Sequence, residues 1–153
     1  MKLEWSAAIR QAIVLDPLNT EILTRLGEAQ WATRQYEQAL ATFNAVIALD
    51  PVWARRAWRG FVCYGLGDCE RARSSCEEGQ GRDVGNGWSR LCLAWVYHKL
   101  GRHADAEALL AKQRAALGDL SAYQFAWICA RGGEMPPNRV SGWRRRYACV
   151  TRA

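Results

Sequence analysis

Residues 20–51 alternate between apolar and polar positions with the period of two short helices. Apolar or small residues recur every three to four positions, so they fall on one face of each helix. In the first helix, residues 20–32, they are Leu23, Leu26, Gly27 and Trp31. In the second, residues 36–49, they are Ala39, Leu40, Phe43, Val46 and Ile47. Asp50-Pro51 ends the second helix because the residue before a proline disfavours helical geometry. The short turn at 33–35 predicts an antiparallel helix pair.

The same hairpin recurs along the chain. Leu49-Asp50-Pro51 repeats Leu15-Asp16-Pro17 at a spacing of 34 residues, and segments 67–72 and 101–106 both match segment 34–39. Small residues that allow two helix backbones to approach closely recur as well. They are Gly27, Gly60, Ala94 and Ala126.

In this period and in its Leu-Gly, Tyr, Ala, Phe and Pro positions, the chain resembles the tetratricopeptide repeat (TPR) family. The resemblance implies an all-α TPR superhelix, a solenoid of helix-turn-helix hairpins with about 3.5 repeats. It assigns residues 1–135 to the array and 136–153 to an irregular basic tail. Within the array it predicts a half repeat at 3–17, repeat 1 at 20–52, repeat 2 at 53–86, repeat 3 at 87–118 and the first helix of repeat 4 at 119–135.

Repeat 2 departs from the pattern in two places. Arg56 and Arg59 stand where repeat 1 has leucines, so either the long arginine stems pack there with their heads in water or the helix register slips by one residue. The glycine-rich segment 79–87 predicts a stretched turn between repeats. A nucleotide site is disfavoured, because no strand precedes this segment and no Gly-Lys-Ser/Thr follows it.

Both ends of the array are incomplete. The chain begins in the second helix of a hairpin, which indicates a fragment, and residues 122–134 resemble the C-terminal TPR part of larger bacterial regulators. Two prolines at 136–137 forbid the expected last helix. The tail holds five arginines and no acid, whereas residues 1–138 hold sixteen basic and fifteen acidic residues. One hypothesis is that this tail is an out-of-frame version of the lost helix.

The cysteines and histidines indicate neither disulfides nor a metal site. No secretion signal and no membrane-length apolar run is present, so we expect a cytoplasmic protein with reduced thiols. Cys63, Cys76, Cys92 and Cys129 occupy helical positions of apolar residues and are predicted to pack as small hydrophobes. His98 and His103 have no cysteine at ligand spacing. No cofactor and no catalytic constellation is predicted, and we expect no enzymatic activity.

The resemblance also implies a concave groove, lined by the first helices of successive repeats, that takes a partner protein or peptide. The predicted partner-binding residues are Trp31, Phe61, Tyr64, Trp88, Trp95, His98, Tyr123 and Trp127. Large rings dominate the energetics of interfaces. The alternative is that several of these rings fill the space between repeats.

Three other modes of binding are alternatives to this groove. Self-association is the close competitor, because incomplete hairpins leave apolar faces open. Contact of the basic tail with nucleic acid is less favoured, because the rest of the chain has no basic stripe. A carboxylate clamp is disfavoured, because Glu21 and Glu28 would repel that group.

Overall fold

The computed structural model describes residues 2–52, 57–80, 87–121 and 124. Seven helices with defined bounds, the start of a further helix at 119–121 and no strand occur in these ranges. The seven are α1 (Lys2–Leu15), α2 (Thr20–Ala32), α3 (Tyr36–Leu49), α4 (Ala57–Gly65), α5 (Cys69–Gln80), α6 (Trp88–Lys99) and α7 (His103–Leu117). The predicted all-α class is confirmed, and both helices of repeat 1 have the bounds that the apolar periodicity predicts.

The helices pack in chain order, as a repeat solenoid requires. Within each hairpin α2 packs on α3, α4 on α5, and α6 on α7. Between hairpins α3 packs on α4, α5 on α6, and α4 on α6, while α1 packs on α2. Each hairpin therefore buries its apolar face against its neighbours, which is the source of stability in repeat proteins.

The three turns inside the hairpins have the same backbone geometry. Each places one residue in the left-handed region: Arg34 (φ 61°), Gly67 (φ 85°) and Gly101 (φ 78°). The N–H of that residue bonds the carbonyl three residues back, and the next N–H bonds the carbonyl five residues back, at 2.8–3.1 Å. This is the Schellman arrangement that ends a helix on a left-handed residue. The turns thus keep the repeat phase seen in the sequence.

Small residues bring the two helices of a hairpin together. A Cβ added at Gly27 would lie 2.7 Å from Cζ of Phe43. A Cβ added at Gly60 would meet the sulfurs of Cys76 and Cys92. Gly60 therefore faces the residue sixteen positions ahead, as Gly27 does. The small residue of repeat 2 thus has the same place in its hairpin as the small residue of repeat 1.

At Arg59 the arginine head is bonded to neighbouring side chains instead of lying in water, as the first alternative for repeat 2 expects. Its side chain is 21% exposed and reaches across to α5. Nε donates to Oγ of Ser75 at 3.0 Å, and Nη2 pairs with Oε2 of Glu78 at 2.9 Å. The stem packs and its charged head is bonded at the edge. Arg56 lies outside the described residues.

The expectation that all the helical cysteines are plain thiols was wrong for one pair. Cys76 on α5 and Cys92 on α6 are joined by a disulfide, with Cα atoms 6.0 Å apart. Their proximity arises from the packing of α5 on α6, which sequence spacing does not reveal. Cys63 and Cys69 are free thiols. Burial, opposed by Arg71, raises the pKa of the Cys63 thiol.

Several predicted features lie outside the described residues. They are most of the 79–87 turn, most of the 119–135 helix with Tyr123 and Trp127, Cys129, and the 136–153 tail. Residues 119–121 are helical. Within the described ranges, no helix combines the length and apolarity that crossing a membrane would need.

Candidate functional site

The predicted groove residues lie on α2, α4 and α6 and differ in exposure. Trp31, Phe61 and Trp95 are buried, with 5%, 1% and 2% of their surface exposed. Tyr64, Trp88 and His98 are partly exposed. In this structure the first three rings contribute to the core, and the last three reach the surface.

The buried rings form a continuous layer across the three hairpins. Trp31 lies 6.2 Å from Phe61, ring centroid to ring centroid, and Phe61 lies 5.6 Å from Trp95 in an edge-to-face arrangement. Tyr64 extends the layer, with its ring 5.7 Å from that of Trp95. Ring pairs at these separations add to the stabilisation that burial provides. The layer fixes α2, α4 and α6 relative to one another.

Trp58 connects this layer to the second helices, and sequence reasoning missed it. Its ring lies 5.5 Å from Trp31, 5.7 Å from Phe61 and 5.6 Å from Trp88. On its other side it stacks on Phe43 of α3, at 6.2 Å and 15°. Its place two residues before the small Gly60 could have indicated that it faces the preceding hairpin. Because the sequence leaves the helix register of repeat 2 undecided, this spacing alone does not place the Trp58 ring.

The partly exposed end of the site lies at the last turns of α4 and α6. Nζ of Lys99 lies 4.5 Å from the ring centroid of Tyr64 and donates to the Tyr64 carbonyl at 3.4 Å. The rings of His98 and His103 are 4.6 Å apart. Burial, and then the neighbouring His103, lower the pKa of His98, while Glu107 acts in the opposite direction. His98 is thus mainly an uncharged ring at neutral pH.

The other end of the site, on α2, carries paired charges. Glu28 is only 2% exposed, and Oε2 pairs with Nη1 of Arg25 at 3.1 Å. Arg25 also reaches Glu21 at 2.8 Å. Burial opposes the charge of Arg25, but Glu28 and Glu21 outweigh it and raise the pKa of Arg25. This end of the surface is therefore polar but compensated.

One polar atom in the ring layer has no hydrogen-bond acceptor. Nε1 of Trp95 is buried and unpaired in the described part of the chain. A buried N–H without an acceptor costs free energy of about 1–3 kcal/mol.

The described residues hold no candidate metal centre. Across residues 2–52, 57–80 and 87–121, no group of three or more His, Cys, Asp or Glu side chains could hold a metal ion. The polar groups described at the site are the ion pairs of α2, the Lys99 ammonium beside Tyr64, the rings of His98 and His103, and the indole N–H of Trp95.

Comparison with known proteins identifies the first complete hairpin. Residues 20–52, which comprise α2, α3 and the Asp50-Pro51 stop, match the family model described as tetratricopeptide repeat. No curated protein matches the chain.

Proposed function

Because residues 20–52 are a tetratricopeptide repeat, a type of repeat that typically mediates protein interactions, we propose that the chain is a non-catalytic module that binds a partner segment in an aromatic concave groove. The observation that carries the proposal is the set of partly exposed rings, Tyr64, Trp88 and His98. They lie on two successive first helices and rest on a buried layer of rings. Predicted groove residues Tyr123 and Trp127 would extend the set into repeat 4.

The chemistry of the site indicates the kind of segment that fits. Rings supply contact area with few rotatable bonds to immobilise, so an apolar or aromatic side chain gains most by packing there. His98 is mainly neutral at pH 7, so Lys99 supplies the positive charge beside the Tyr64 ring.

Selection from a phage-displayed library of random 12-residue peptides tests this proposal. We expect enrichment of peptides with apolar or aromatic residues at two or more positions. For a selected peptide, Tyr64→Ala should weaken binding by about tenfold or more, since a truncated anchor ring costs over 1 kcal/mol. Binding is measured by fluorescence anisotropy of the labelled peptide.

Leu49→Ala provides the control. Leu49 is 44% exposed and ends α3, a second helix that carries none of the predicted groove residues, so its loss should leave peptide affinity within about twofold. Circular dichroism confirms that both variants are folded. Equal loss of affinity in both variants, or no enrichment over an unrelated scaffold, would contradict the groove.

Self-association is a second candidate that a specific observation favours. Leu18, Val52 and Leu120 are 67%, 76% and 44% exposed. They occupy one repeat position, since Val52 follows Leu18 by 34 residues and Leu120 follows Val52 by 68. Apolar side chains repeated along one edge of a solenoid gain by contacting a second copy.

Light scattering over a concentration series tests the second candidate. If the edge pairs two copies, the apparent mass rises with concentration, and the Val52→Glu variant remains a monomer. Arg73→Glu, on the partly exposed face of α5, is the charge-changing control and should not alter the association. A monomer at every concentration would reject self-association and leave the peptide groove unaffected.

Three further predictions remain proposals. They are that the chain derives from a larger bacterial regulator, that it acts in the cytoplasm, and that its basic tail makes a minor contribution through contact with nucleic acid. The last of these predicts binding that weakens steeply with salt.

A further inference from the structure

We propose that Cys76 and Cys92 form a thiol-oxidation site. A low-molecular-weight disulfide such as oxidised glutathione oxidises the two thiols, and the protein disulfide that results links α5 covalently to α6. The two residues belong to successive hairpins and are sixteen positions apart. This inference is independent of the peptide groove, because it concerns the contact between repeats 2 and 3.

The position of the pair within the repeat supports the assignment. At the preceding interface, Phe43 of α3 stacks on Trp58 of α4. Cys76 follows Phe43 by 33 residues and Cys92 follows Trp58 by 34, so the two sulfurs occupy the place of the two stacked rings. Where one interface is filled by large aromatic side chains, the next is filled by two small ones in direct contact.

The backbone geometry suits a covalent link. The Cα atoms are 6.0 Å apart, within the range that disulfides span without movement of the helices. Gly60 of α4 provides the space, because a Cβ there would lie 2.7 Å from the sulfur of Cys92 and would also meet that of Cys76. The glycine thus accommodates the sulfurs beside the close α4–α5 contact.

The oxidation balances with glutathione disulfide as the oxidant. One protein thiolate attacks a glutathione sulfur and releases one glutathione thiolate. The second protein thiolate attacks the resulting mixed disulfide and releases the other glutathione. Two electrons and two protons pass from the cysteine pair to two glutathione molecules. Because both residues are fully buried, exchange requires local opening of the α5–α6 contact, and low concentrations of urea should accelerate it.

Counting free thiols on the full chain tests the site. The reduced chain is incubated with oxidised glutathione, unfolded in the presence of iodoacetamide, and weighed by mass spectrometry. We expect alkylation at four of the six cysteines, and peptide mapping should recover a Cys76–Cys92 link. Cys92→Ala should form no link at this interface, and any glutathione that reacts with Cys76 should stay attached as a mixed disulfide, because no second thiolate is there to release it. The matched control Cys63→Ala removes a buried thiol outside the pair. Two of its five cysteines should still form the link, so three should be alkylated.

The link should also stabilise the fold. Closing a loop of about 15 residues should lower the equilibrium constant for unfolding roughly a hundredfold in the oxidised chain relative to the reduced one. Cys76→Ala should abolish this difference between oxidised and reduced samples. In the unsubstituted chain, alkylation of all six thiols after treatment, stable glutathione adducts at Cys76 or Cys92, or a link mapped to another pair would overturn the proposal.

Discussion

Replacing Trp58 with alanine is expected to lower the free energy of unfolding by about 4 kcal/mol, since truncating a buried tryptophan costs both its transfer free energy and the cavity it leaves. Trp58 is 2% exposed and contacts rings on α2, α3, α4 and α6. Helices from three hairpins border the site, so no single one can move in to fill it. Urea titration followed by circular dichroism gives the free energy directly.

The control for Trp58→Ala is the substitution of an exposed side chain, which leaves no buried cavity. Leu100 is 41% exposed, and Leu100→Ala should change the free energy of unfolding by no more than about 0.5 kcal/mol. A loss below about 1 kcal/mol for Trp58→Ala, with an unchanged slope against urea, would show that the ring layer does not hold the hairpins together.

Gly27→Leu is expected to destabilise the chain by about 3 kcal/mol, although leucine is the better helix former by nearly 1 kcal/mol. The two effects have opposite signs, which makes the test decisive. The first carbon of the new side chain would lie 2.7–3.0 Å from three ring atoms of Phe43. Phe43 is fully buried and cannot swing away. Urea titration measures the change.

A second substitution tests whether Phe43 is the cause. Phe43→Ala alone should cost about 3–5 kcal/mol. In the double variant with Gly27→Leu, the new side chain occupies the vacated volume, so the combined loss should be smaller than the sum by about 1 kcal/mol or more. Ala45→Leu, on the exposed face of α3, is the control for added bulk and should be nearly neutral. Strict additivity would contradict the contact.

The hairpins could be predicted from the sequence because each is specified locally. The apolar stripe, the Asp50-Pro51 stop and the residue that turns left-handed at Arg34, Gly67 and Gly101 all act within a few positions. Repetition at a period of 34 then reinforces each weak local signal. This is why the bounds of α2 and α3 agree with those expected from periodicity alone.

Contacts between hairpins could not be predicted in the same way. Whether Phe61 and Trp95 reach a partner or the core depends on the small rotation between successive repeats, which no residue pattern encodes. The disulfide between Cys76 and Cys92 depends on the same rotation, because only the packing of α5 on α6 brings the two Cα atoms to 6.0 Å. Trp58 is a third case, since its four ring neighbours come from helices as far apart in sequence as α2 and α6.

The ring layer has a consequence for how the chain melts. A solenoid can lose its terminal hairpins one at a time when the interfaces between adjacent units are independent of one another. Here one ring, that of Trp58, takes part in both interfaces. Unfolding of repeat 1 removes Trp31 and Phe43 from contact with this ring, which repeat 3 also contacts through Trp88. The described repeats should therefore lose their structure together, in one all-or-none transition, rather than fraying inward from the first hairpin.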